Sequence, residues 1–139
     1  MTHLSHLQVT PPVTEFERWI NEIVSMTGLE RSQARRVLGA VSRGLSSRLP
    51  SSEANRLIDQ LPSAVRQQMS HDLELRADDR RGDFAVEVCE SCPPLTHRQG
   101  ERAIWAVFTV LSRHISPQWV RHARTLLPTQ ISTLWNTAV

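Results

Sequence analysis

A chain of 139 residues with 40% hydrophobic and 22% charged content has the make-up of an ordinary globular domain. It is long enough to bury roughly 70% of its unfolded surface without help from disulfides or metals. All 16 basic residues are arginine, yet the net charge is only +2, short of the one-sided charge that a nucleic-acid domain concentrates. No apolar run approaches the ~20 residues of a membrane-spanning helix. The first six residues, Met1 to His6, lack the basic and apolar regions of a signal peptide, so the expected location is the cytoplasm.

Residues 1–13 end in Val9-Thr-Pro-Pro-Val13 and read as a flexible lead-in. Thr14-Glu-Phe-Glu17 is a capping box, because the Thr14 hydroxyl and the Glu17 carboxylate can each accept from an orphan N–H. Phe16, Ile20, Ile23 and Val24 follow at helical spacing, and Gly28 can end the helix in the left-handed conformation. A longer helix is predicted from about Arg31 to Arg48, with Ala34, Val37, Leu38, Val41, Leu45 and Leu49 as its apolar stripe. Pro50-Ser-Ser-Glu53 breaks it and opens a short helix carrying Leu57, Ile58 and Leu61. Pro62 opens a fourth, with Val65 and Met69 inward.

Residues 70–83 are dense in charge, end near Gly82 and read as a linker. Phe84, Val86, Val88 and Cys89 then predict a helix that stops before Pro93-Pro94. Thr96-His-Arg-Gln99 is a second capping box. It opens a long helix carrying Ala103, Ile104, Val107, Phe108, Leu111 and Ile115. Ser116-Pro117 starts a short helix, and Leu127-Pro128 the last one, with Ile131, Leu134 and Trp135. No stretch alternates with the period of two that a strand requires.

The two halves align without a gap at an offset of sixty-six positions. Leu61-Pro62 falls on Leu127-Pro128, Leu29 on Leu95, Gln33 on Gln99, Arg36 on Arg102, Ala40-Val41 on Ala106-Val107 and Leu45-Ser46 on Leu111-Ser112. Apolar character persists where identity fails: Ile20 with Val86, Leu38 with Ile104, Leu49 with Ile115, Val65 with Ile131, Met69 with Trp135. A constant register through several interhelical breaks is the mark of an internal repeat. The predicted fold is therefore all-α, about eight helices from two tandem four-helix repeats, at 14–69 and 84–137, forming one compact domain.

The run Phe16…Gly28-Leu29-Glu30-Arg31…Ala34…Arg36-Val37-Leu38…Val41…Leu45…Arg48-Leu49-Pro50, followed by Glu53…Leu57…Gln60-Leu61-Pro62 and a second such unit, resembles the bacterial family catalogued as domain of unknown function 2267. The likeness spans about residues 14–136. It implies an all-helical tandem unit of a cytoplasmic protein and supplies no catalytic residues. Cys92-Pro93-Pro94 departs from the family pattern, replacing a turn that ordinarily contains glycine.

Cys89-Glu-Ser-Cys92 has the spacing of a redox dithiol or half a zinc site. The pair sits at a helix C-terminus, where the dipole disfavours a thiolate, and no second ligand pair follows at zinc-finger spacing. In the repeat Cys89 falls on Ile23 and Cys92 on Met26, so packing is the expected role of both. The six histidines form no ligand pattern, and no catalytic constellation is visible. No enzyme activity, cofactor or metal is expected.

Two surfaces remain. Arg31 and Arg35, and in the second half Arg98 and Arg102, lie near the start of each long helix and could form an arginine-mediated face for an anion or nucleic acid. Glu30 and Glu101 lie among them, which disfavours nucleic acid. Trp105 and Phe108 fall on Gly39 and Ser42. Ridge-into-groove packing would let these rings fill the groove left by Gly39, Ser42 and Ser46 as the long helices pack together. In the competing arrangement Trp105, Phe108 and Trp119 form an exposed patch for another chain. The expected function is a non-enzymatic interaction or regulatory module, meeting another protein or a second copy of itself.

Overall fold

A computed structural model describes residues 14–75, 84–92 and 95–138. Among the described residues eight helices occur: α1 (Glu15–Thr27), α2 (Arg31–Ser47), α3 (Ser51–Gln60), α4 (Ser63–Leu75), α5 (Phe84–Ser91), α6 (His97–His114), α7 (Pro117–Leu126) and α8 (Thr129–Ala138). There is no strand among the described residues, and the fold is an all-α helical bundle. The lead-in expected at 1–13 and the greater part of the expected linker lie outside the described residues.

The ends of the helices are fixed by local chemistry. At α1, Thr14 Oγ1 accepts from the Glu17 N–H at 3.1 Å and Glu17 Oε1 accepts from the Thr14 N–H at 3.2 Å. Thr96 and Gln99 repeat the exchange at α6, at 3.1 and 2.8 Å. Such a cap satisfies donors that the first helical turn leaves without partners. Gly28 takes φ 74°, where a side chain would be strained, and its N–H closes α1 on the Val24 carbonyl. Pro117 occupies the first turn of α7 behind its Ser116 cap.

Helix α4 continues through Leu75, so the segment expected as a linker from residue 70 begins as helix. Ser70 to Leu75 contains neither glycine nor proline, and charge density alone does not end a helix whose backbone has no breaker. At an offset of sixty-six residues α3 and α7 correspond at both ends and α2 and α6 at the start, whereas α1 and α5 differ at both ends.

The two long helices α2 and α6 pack against each other at the centre. Helix α4 lies on α2 and α8 on α6, and each long helix also meets the helix that precedes it. Two further contacts cross between the halves: α1 packs on α6, and α5 packs on α2. The core thus runs through both halves as one hydrophobic cluster, including Ile20, Leu38, Leu45, Ile104, Leu111 and Ile131.

The interior departs from the expected pattern in four places. Val86 points outward at 44% exposure, although Ile20, its counterpart, is fully buried. Helix α5 instead turns Phe84, Ala85 and Val88 inward. Trp19 is a fully buried core residue that the apolar stripe of α1 did not include, and it stacks on the His114 ring at 5.2 Å. His114, given no structural role by the sequence pattern, also meets Glu22 Oε2 through Nε2 at 2.8 Å, and Arg113 meets Glu22 Oε1 at 3.0 Å. Gly44 of α2, a small residue outside the expected groove, also receives a ring. A Cβ there would stand 2.6 Å from the edge of Phe84.

Candidate interaction surface

The sequence-predicted residues divide sharply by exposure. Phe108 is fully buried. It lies between Phe84 and Trp135, with ring centroids at 6.1 and 4.6 Å and planes within 12° and 6° of parallel. These three rings bring α5, α6 and α8 together, and stacked aromatics of this kind contribute beyond the area they bury. Trp119 is also buried, at 6% exposure. An exposed patch of Trp105, Phe108 and Trp119 is therefore corrected: ring burial against neighbouring helices removes two of its three members. The expected burial of Trp105 is corrected as well, because the residue is 36% exposed.

Trp105 belongs to a different assembly. Arg98, Glu101, Arg102 and Trp105 recur at three- and four-residue spacing on α6 and so share one face of it. With Leu134 of α8 they line a surface cleft of about 420 Å³. The Arg102 Nε–H donates to the Met26 carbonyl at 3.2 Å, which fixes the base of the guanidinium across the end of α1. Glu101 is paired with His97 on the same helix at 3.3 Å, both well exposed. A pair so placed is solvent-screened and contributes little to stability.

The cleft therefore offers an indole, a half-buried leucine and two arginines. Arg31 and Arg35 are exposed but do not line it; Arg31 is hydrogen-bonded to Asn21 of α1. The four arginines expected to converge are thus divided, and only the pair on α6 shares a cleft with an aromatic.

Cys92 is buried and Cys89 half-buried, and they form no disulfide. The Cys89 sulfur lies where a Cβ on Gly100 would have to be, so α5 and α6 approach closely through this pair. No group of three or more His, Cys, Asp or Glu side chains among the described residues could hold a metal ion.

Three charged side chains to which the sequence assigned no place in the interior are buried. Arg48 and Glu87 form an ion pair at 3.0 Å, with side chains 8% and 7% exposed, joining α2 to α5. The Arg48 guanidinium also lies 5.2 Å from the Phe84 ring centroid. Glu53 is 9% exposed and lines a second cleft, between α3 and α7, with Trp119 and His122. A signal for Glu53 was present: it precedes Leu57 and Leu61 at four-residue spacing, and so stands on the apolar stripe of its own helix.

No helix among the described residues is long and apolar enough to cross a membrane. No curated protein matches the sequence at a significant level. Residues 16–134, nearly the whole of the described chain, match the family described as uncharacterized conserved protein (DUF2267), and the chain belongs to that family.

Proposed function

We propose that this chain is a non-enzymatic interaction module of the bacterial cytoplasm, built from two copies of one four-helix unit, that docks another protein through the α6–α8 cleft. The observation that carries the reading is the position of Trp105. Of four tryptophans it is the one left substantially exposed, and it shares one helical face with Arg98 and Arg102. Tryptophan and arginine are the side chains most enriched where binding energy concentrates. Two guanidinium groups beside an indole and a leucine favour a partner segment that brings carboxylates next to a small apolar anchor.

An arginine-mediated nucleic-acid or anion interface is the weaker reading. Arg31 and Arg35 lie outside the cleft, Glu101 lies within it, and one donor of Arg102 is already committed to Met26. Phosphate-driven binding would need a denser positive field and would fall steeply with salt.

Differential capture from the native cell tests the proposal. The wild-type chain, Trp105→Ala and the double variant Arg98→Glu, Arg102→Glu are used as bait in parallel. The expected result is a partner retained by the wild type and lost from both variants, with the helical circular dichroism of all three unchanged. A partner retained equally by all three would refute docking at this cleft. Capture dominated by nucleic acid and abolished by moderate salt would favour the weaker reading instead.

A further inference from the structure

The second cleft, between α3 and α7, contains groups whose hydrogen-bonding capacity the fold leaves unused. It measures about 340 Å³ and is lined by Glu53, Arg56, Asp59 and Gln60 from α3, and by Ser116, Gln118, Trp119 and His122 from the start of α7. The two helices meet where Gln60 Oε1 accepts from the Ser116 N–H at 2.7 Å. The Ser116 hydroxyl in turn accepts from the Trp119 N–H at 3.3 Å, which fixes the first turn of α7 against the cleft.

The Trp119 indole Nε1–H is buried and donates to nothing, and Glu53 Oε1 is buried and accepts from nothing. The other oxygen of Glu53 stands 3.7 Å from His122 Nε2, beyond hydrogen-bond distance. One oxygen of the carboxylate thus stands near His122, and Glu53, Trp119 and His122 all line the cleft. A buried carboxylate without a short hydrogen bond is among the costlier features a fold can retain. Such a feature commonly marks a site whose missing partner is a ligand or an ordered water.

We propose that this cleft binds a small molecule or side chain that presents a cationic nitrogen group, ammonium or guanidinium, to Glu53, with an adjacent acceptor for the Trp119 indole N–H. Two carboxylates, Glu53 and Asp59, stand against one guanidinium, Arg56, so the wall favours a cation. The indole supplies an aromatic surface of the kind that attracts one. Arg56, Gln60 and Gln118 provide further polar contacts for the remainder of the ligand, and the volume suits an amino-acid-sized group.

The test follows the Trp119 indole N–H resonance of the full chain by NMR, assigned through Trp119→Phe, during titration with four probes. These are free arginine, putrescine, a short peptide with one central arginine, and citrulline, which replaces the guanidinium by a neutral urea. The expected result is a saturable shift with a cationic probe, at least tenfold weaker binding of that probe by Glu53→Gln, and at least tenfold weaker binding of citrulline. Saturation by free arginine or putrescine identifies a small-molecule ligand, and saturation by the peptide alone identifies a side chain presented by a partner. Glu53→Gln keeps the side-chain shape, and the exposed His122→Ala provides a second variant on the opposite wall, expected to alter affinity without unfolding the chain. The absence of saturation with all cationic probes, or equal binding by Glu53→Gln or of citrulline, would overturn the proposal.

Discussion

Glu87 lies at a position where α5 meets α2, and its carboxylate is met by Arg48 rather than by solvent. Arg48 is held from three directions: it donates to Glu87 at 3.0 Å and to the Gly44 carbonyl at 3.0 Å, and it lies against the Phe84 ring. Removing one member of such a pair strands the other charge out of water, whereas replacing both by apolar groups removes the desolvation problem along with the attraction. Arg48→Met is therefore expected to destabilise the fold by about 3–5 kcal/mol. The double variant Arg48→Met, Glu87→Leu is expected to recover most of that loss. Urea denaturation at unchanged slope measures both. A double variant as unstable as the single one would show that Arg48 acts by filling space and not through its charge.

At the scale of helices, the decisive contacts are close approaches at glycine. Cys89 reaches α6 at Gly100, and Phe84 reaches α2 at Gly44, so α5 is seated on both long helices through gaps that only a missing Cβ leaves open. Gly100→Ala sets two effects against each other. Alanine in a helix interior gains about 0.5–1 kcal/mol over glycine, and overpacking costs about 1–3 kcal/mol. The new Cβ would stand only 2.1 Å from the Cys89 sulfur, so overpacking prevails and Gly100→Ala is expected to lower stability. Adding Cys89→Ala vacates the space, leaves the helical gain and is expected to restore or exceed the starting stability. Thermal unfolding of the two variants checks this. A double variant no better than Gly100→Ala would contradict a packing role for Cys89.

The sequence pattern made some of this legible and concealed the rest. Both threonine capping boxes, Gly28 and the prolines before α4 and α8 act through bonds a few residues apart, and so they can be read along the chain. The outward turn of Val86 could not be read, because α5 is short and its orientation is set by what Phe84 and Cys89 meet on α2 and α6. Trp105 and Phe108 are three positions apart on one helix, yet one faces solvent and the other is enclosed by Phe84 and Trp135. Periodicity places residues on a face; only the neighbouring helices decide where that face ends. The candidate cleft was legible in Arg98, Arg102 and Trp105, while Leu134 joins it through tertiary packing from α8.

For the whole molecule, the crossing of α1 onto α6 and of α5 onto α2 makes each half complete the core of the other. Such a core encloses Trp19 and Trp135 completely and Trp119 nearly so, leaving Trp105 at the surface as the anchor on which the proposed docking depends. Acrylamide quenching of tryptophan fluorescence, compared between the wild type and Trp105→Phe, tests that arrangement most directly. One readily quenched component is expected in the wild type, absent from the variant, with the remaining emission short in wavelength and resistant to quencher. A quenchable fraction unchanged by Trp105→Phe would contradict it.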